Sequence, residues 1–241
     1  ASLLDRLNTQ RLHQDKRALR LVLREQGSSL SMAEVEEVQK HLSQLNAQTE
    51  KTAQLSFLKG IDHLLLQDLG AAISALTEAI ERDPSFTLAY FARSIASLRR
   101  SEAERGRPVE QSTPSTPQVR AAATGAKATT PAELSLTAPT PTRVVEYSPL
   151  TDLNQVITQV PTFAFAYYNR ANLYAKTGDV ERAKQDYTKA IELNPLFAES
   201  YFNRGLLYYS EGKVKEGTRD LSRAGELGLY KAYSLIKRMN K

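Results

Sequence analysis

The chain has 241 residues, of which 41% are hydrophobic, and it carries a net charge of +5 at pH 7. This length and composition suffice for a substantial buried core, in one or two compact domains or in a short solenoid. Cysteine is absent, which excludes disulfides, thiolate metal sites and a cysteine nucleophile. No apolar run approaches the roughly 18 residues that a membrane-spanning helix needs. The chain opens with Ala1 and shows no signal peptide, so we interpret it as a processed protein or a fragment.

The N-terminal flank, residues 1–52, shows no repeat and is predicted to be mostly helical. In residues 19–24 three leucines alternate with Arg20, Val22 and Arg24, and this period of two fits a short strand or extended segment and a helix equally well. Ser31 followed by Glu34 is a capping-box pattern, so a helix is expected from there to about Thr49. Its apolar face is expected to pack on the first repeat. That face consists of Val35, Val38, Leu42 and Leu45.

A single fixed period organises the remainder of the chain. The segment Tyr-Tyr-Asn-Arg-Ala at 167–171 returns as Tyr-Phe-Asn-Arg-Gly at 201–205, and Gly178 returns as Gly212 at the same interval. Prolines that follow the second helix of a repeat show the same period earlier in the chain, since the same interval separates Pro161 from Pro195. A fixed period of about 34 residues indicates stacked helical repeats.

One repeat contains an insertion. The interval from Pro84 to Pro161 is more than twice the period, so the repeat between them carries extra chain. This extra chain falls at about 101–143, and it holds six of the ten prolines and no aromatic residue. Such a composition cannot bury enough apolar surface to offset chain entropy, so we predict a disordered insert. The second helix of this repeat is expected to restart at Ser148 as N-cap, with Pro149 at the first helical position.

The spacing of the repeated residues predicts four repeats and a terminal helix. The repeats are placed at 53–86, 87–163 with its insert, 164–197 and 198–231. Residues 230–241 form one amphipathic segment, which we interpret as a capping helix because the last repeat of a solenoid needs its apolar face covered.

The repeated columns resemble the tetratricopeptide repeat (TPR). Small residues recur where the two helices of a repeat would cross, namely at Gly60, Ser94, Ala171 and Gly205 and at Ala72, Ala183 and Gly217. The resemblance implies an all-α solenoid, a right-handed superhelix of antiparallel helix pairs with an N-terminal flank and a C-terminal cap. The ending at 225–230 also resembles the C-terminal region of large TPR proteins of the Bacteroidetes type, which would imply the bacterial cell envelope.

In the TPR family the concave groove is lined mainly by the first helix of each repeat, and the resemblance implies a groove here. It would be apolar and aromatic with one amide, and would suit an extended peptide or an apolar partner helix. The candidate partner-binding residues are Phe57, Ile61, Phe91, Ile95, Tyr168, Asn172, Phe202, Leu206 and Tyr209. Two alternatives stay open: residues 1–52 or the insert fill the groove, or some of these side chains are core between repeats.

The predicted function is a non-catalytic protein–protein interaction scaffold. The alternative is a structural spacer of a larger envelope protein with no groove ligand, and RNA binding by a helical repeat is less favoured because the groove column is aromatic. No catalytic motif, cofactor site or metal site is expected, since the three histidines share no spacing with carboxylates. A TPR clamp for a C-terminal carboxylate is not expected, because aromatic residues stand where the family has its lysine.

A basic column also repeats, at Lys59, Arg93, Arg170 and Arg204. It could be a stripe that binds an anion. We favour the alternative that each cation pairs inside the repeat with a carboxylate such as Glu192. The C-terminal stretch 212–241 is basic as well, with eight Lys and Arg against three Asp and Glu, and we interpret it as a solvated terminal helix rather than a nucleic-acid or lipid site.

Overall fold

The computed structural model describes residues 31–105 and 148–239, and within those ranges every regular element is an α-helix. The predicted all-α class is therefore confirmed. The helices are α1 Met32–Asn46, α2 Ala53–Leu65, α3 Leu69–Arg82, α4 Thr87–Arg105, α5 Pro149–Gln159, α6 Ala164–Lys176, α7 Val180–Leu193, α8 Ala198–Ser210, α9 Val214–Glu226 and α10 Lys231–Met239.

Four helix pairs stack in a row to form the solenoid. The pairs are α2 with α3, α4 with α5, α6 with α7, and α8 with α9, and the second helix of each pair packs on the first helix of the next. The flanking helices close the row, since α1 packs on α2 and α10 packs on α9. Each layer covers the apolar face of its neighbour, as expected for a protein built of stacked repeats.

Helix α1 begins with the predicted capping box. The Ser31 hydroxyl accepts from the Glu34 N–H at 3.4 Å, and the Glu34 carboxylate accepts from the Ser31 N–H at 2.8 Å. The helix ends at Asn46, slightly before the expected end. Val38 is fully buried in a cluster with Phe57, so the apolar face of α1 packs on the first helix pair as expected.

Helix α4, the first helix of the second repeat, has 19 residues, whereas the first helix of each other repeat has 13. The insert was predicted to be disordered from about residue 101, and this is wrong for residues 101–105, which are helical. Charge pairs stabilise this extension, because Arg100 bonds Glu104 one turn later and Glu102 pairs with Lys176 of α6. The remainder of the predicted insert, and residues 1–30, lie outside the described residues. Helix α5 begins at Pro149 after Ser148, as expected.

Tight turns join the helices within the later pairs, and each needs a left-handed residue. Gly178 and Gly212 have φ values of 82° and 74°, which glycine adopts without steric cost. The turn between α9 and α10 is of the same kind, with Gly228 at φ 101°. In the first pair Gln67 takes this place at φ 62°.

Glycine also sets the distance between paired helices. A Cβ built on Gly60 would lie 2.5 Å from Cγ of Leu76 on α3, which is inside any allowed contact distance. Leu76 is fully buried, so it cannot move away without opening the core. The small residues of the repeated columns thus allow the close approach on which the layered packing depends.

Candidate functional site

Of the nine predicted groove residues, four are buried and five are half-buried. Phe57, Ile61, Phe91 and Ile95 are only 1%, 2%, 2% and 5% exposed. They belong to one apolar core that runs from α1 to α6. The prediction that these four side chains line an open groove is therefore wrong, and they are core between repeats.

Ring contacts across the junctions between repeats contribute to the burial of Phe57 and Phe91. The ring of Phe57 packs on Phe86, with 4.8 Å between centroids, and Phe91 packs edge-on against Phe163 at 4.9 Å. The same contact recurs between Tyr168 and Phe197 at 4.7 Å. Each phenylalanine partner immediately precedes the first helix of the next repeat. Sequence analysis missed these partners, although all three stand at one position of the repeat.

The other five predicted groove residues are half-buried and come from the last two repeats. Tyr168 and Asn172 lie on α6, and Phe202, Leu206 and Tyr209 lie on α8. These two helices occupy equivalent positions in consecutive layers. The structure thus leaves a candidate site at repeats three and four only.

A hydrogen-bonded cluster fixes the amide in this site. The Tyr187 hydroxyl donates to Oδ1 of Asn172 at 2.6 Å, and Nδ2 of Asn203 donates to the same oxygen at 3.0 Å. Burial raises the pKa of Tyr187, which keeps the phenol protonated and able to donate. With Oδ1 saturated, the Nδ2 group of Asn172 has no acceptor among the described residues and is available to a ligand.

The C-terminal side of the site is closed by α9 and α10. The Tyr209 hydroxyl bonds that of Thr218 at 2.5 Å, and both Tyr209 and Phe202 pack on the small core beneath α10. The ammonium of Lys231, the first residue of α10, lies 4.7 Å from the ring centroid of Phe202. Leu206 is half-buried and lies outside the buried clusters. An apolar surface bordered by one amide and one cation results.

The basic column is structural and does not form a stripe open to anions. Each arginine makes two hydrogen bonds to one aspartate of the second helix in its own repeat, at 2.7–3.0 Å. The pairs are Arg93 with Asp152, Arg170 with Asp186, and Arg204 with Asp220. The suggested partner Glu192 was wrong, because it pairs with Lys189. Ala75 stands at the aspartate position of the first repeat, so Lys59 has no equivalent partner there.

The same arginines also join consecutive repeats. The Nη1 of each donates to a side-chain oxygen on the second helix of the preceding repeat, at 2.8–3.1 Å. The acceptors are Thr77, Asn154 and Thr188. Each guanidinium also lies over the tyrosine one turn earlier on its own helix, for example Arg204 at 5.8 Å from the Tyr201 centroid. One side chain thus binds three elements together.

The pair between His41 of α1 and Asp62 of α2 is the other buried polar contact of interest. Nδ1 of His41 lies 2.7 Å from Oδ2 of Asp62, whose side chain is only 2% exposed. Burial raises the pKa of Asp62 from 3.8 to about 6, and His41 opposes that rise. A carboxyl with a raised pKa can indicate a functional site. Here it lies beneath the N-terminal helix and joins that helix to the first repeat.

No group of three or more potential metal ligands comes together within residues 31–105 and 148–239. In the same ranges no helix has the length and apolar character needed to cross a bilayer.

Comparison with known proteins agrees with the repeat architecture. Three family models described as tetratricopeptide repeat match residues 57–118, 164–197 and 186–217. No curated protein sequence gives a significant match.

Several solved structures resemble the chain. MamA (residues 41 to the end) from Desulfovibrio magneticus RS-1 aligns with a TM-score of 0.56 at 15% identity, over 80% of this chain and 85% of that one. YrrB, described as a TPR protein with an unusual peptide-binding site, gives 0.57 at 11%, over 86% and 87%. TTC0263, described as a thermophilic TPR protein in Thermus thermophilus, gives 0.55 at 15%, over 86% and 89%. At these identities the likeness concerns the fold.

The fold and the repeated columns define a helical-repeat protein of the class that serves as an interaction scaffold. The chain belongs to the tetratricopeptide-repeat family. The more specific resemblance to Bacteroidetes proteins, and the envelope location that it would imply, stay predictions.

Removing one partner of an arginine–aspartate pair is expected to destabilise the solenoid. Asp220→Ala should lower the free energy of unfolding by about 3 kcal/mol, because Arg204 is left with an unpaired charge in a largely buried site. Urea denaturation followed by circular dichroism measures this. Glu226→Ala, which breaks the exposed pair with Arg223, is the control and should cost a small fraction of that. Equal losses in the two variants would contradict the structural role.

The buried Asp62 is expected to make stability depend on pH. The pKa of Asp62 is higher in the folded chain than in the unfolded chain. The stability that this difference contributes is therefore complete below about pH 4 and is lost as the pH rises through 6. Asp62→Asn mimics the neutral form and should match the wild type near pH 4. Near pH 7 the free energy of unfolding of Asp62→Asn should exceed that of the wild type by on the order of 3 kcal/mol at most. Urea denaturation across this range tests it, and a gap that does not change with pH would contradict it.

Proposed function

We propose that this chain is a non-catalytic scaffold that binds a peptide or a partner helix in the groove of repeats three and four. The contact residues are Tyr168, Asn172, Phe202, Leu206 and Tyr209. The observation that carries the proposal is the contrast in burial along one repeated column. Its members are core in the first two repeats and half-buried in the last two.

The chemistry of the half-buried surface supports an apolar ligand with exposed backbone. Aromatic and leucine side chains give large contact area for little lost rotamer entropy. The Nδ2 of Asn172 can donate to a peptide carbonyl, while the bonds from Tyr187 and Asn203 hold the amide in place. Apolar burial would supply most of the affinity, and the amide would orient the chain.

A structural role is the second candidate, and the first two repeats favour it. The four predicted groove residues of those repeats are 5% exposed or less, and two of them pack on neighbouring rings. In a pure spacer the last two repeats would carry no ligand either. The two functions therefore differ in what repeats three and four bind.

Selection from a displayed library of random dodecapeptides tests the proposal. The wild-type chain should enrich peptides with apolar residues, and Leu206→Arg should weaken their binding about tenfold or more, since one buried leucine contributes about 1.5–3 kcal/mol. Leu206 is suitable because Tyr168 and Phe202 also support the core. Leu196→Arg, at an exposed leucine between α7 and α8, is the matched control and should bind like the wild type.

Thermal unfolding of both variants checks that the fold is retained. If no peptide is enriched, or if the two arginine variants bind equally well, the groove proposal is wrong and the spacer is favoured.

A further inference from the structure

Lys231 occupies the place of an aromatic residue at the last junction of the solenoid. Phe86, Phe163 and Phe197 stand at one position of the repeat, and Lys231 follows Phe197 by one further period in that series. The three phenylalanines pack on the ring of the preceding repeat. At the last junction an ammonium packs on the ring of Phe202 instead.

The geometry leaves this cation available to a ligand. Its Nζ lies 4.7 Å from the Phe202 centroid, within the range of a cation–π contact, which fixes the side chain without using its N–H donors. The residue is exposed, and none of the ion pairs between described residues involves it. Lys231 also makes no ion pair, among the described residues, with Glu199, which lies one turn before Phe202 on α8.

The surrounding charge reinforces this cation. Lys237 and Arg238 lie on the same helix and are exposed, and no ion pair with a described carboxylate neutralises them. Of the carboxylates on α8 and α9, Glu226 pairs with Arg223 and Asp220 is held by Arg204, whereas Glu199 makes no ion pair among the described residues. Helix α10 thus brings three basic side chains and no acidic one to this end of the groove, which would favour an acidic segment over a basic one.

We propose that Lys231 selects peptides in which an aspartate or glutamate lies beside the apolar residue that contacts Phe202 and Leu206. This rests on the proposed function and names the ligand class of the same groove. The carboxylate would accept hydrogen bonds from Nζ, and the apolar neighbour would cover the ring that the ammonium borders. The cation comes from the capping helix and not from the repeat columns, whose arginines are held by aspartates.

The dodecapeptide selection tests this when it is repeated with charge variants. Wild type should enrich peptides that pair an acidic with an apolar residue. Lys231→Glu should select peptides with Lys or Arg at that place, because the sign of the contact is reversed. Lys237→Glu makes the same charge change on the same helix away from Phe202, and it should retain the acidic preference. Lys231→Gln should weaken binding of a wild-type-selected peptide about two- to fivefold at low salt, and by less at high salt.

The outcomes separate this inference from the function on which it rests. The inference would be overturned if the groove selected peptides without an acidic preference, or if Lys231→Glu and Lys237→Glu had equal effects. Neither result would contradict the proposed scaffold function. Failure to enrich any groove-dependent peptide would overturn both. Tighter, Lys231-dependent binding of a fluorescent oligouridine than of the selected peptides would overturn the assignment to a peptide. Circular dichroism of each variant checks the fold.

Discussion

The junction between consecutive repeats is the constraint on which this structure depends. At three junctions an aromatic side chain of one repeat packs on a phenylalanine that leads into the next, with centroids 4.7–4.9 Å apart. At the same layers an arginine bonds an aspartate of its own repeat and a hydroxyl or amide of the preceding one. The rings exclude water and the guanidinium fixes the register. Together they make each repeat depend on its neighbour, which is how a solenoid gains stability.

These junctions also decide where a ligand can bind. In the first two repeats the column that could line a groove is core. Toward the C-terminus the partners become more polar. Asn172 is held by Tyr187 and Asn203, and Lys231 replaces the phenylalanine over Phe202. The same position of the repeat thus serves packing at one end of the molecule and offers chemistry to a ligand at the other.

The sequence was sufficient for the fold class and for the capping box at Ser31, because periodicity and caps are local properties. It was not sufficient for the state of Phe57 and Phe91, because a repeated column shows which residues are equivalent and not what covers them. Some of the missing information was readable. An aspartate follows each repeat arginine by one constant offset, once the insertion is subtracted, so the true partners of the arginines could have been found in place of Glu192. The break from Phe197 to Lys231 was equally visible, but its meaning needed the position of α10 over Phe202.

The central claim is that only the groove of repeats three and four is open to a partner. Amide hydrogen exchange of the full chain, with and without a saturating selected peptide, tests it directly. The structure predicts that the peptide slows exchange in α6, α8 and the start of α10, and leaves α2 and α4 unchanged. Slowed exchange centred on α2 and α4 would contradict the account, because it would place the ligand where the column is buried core.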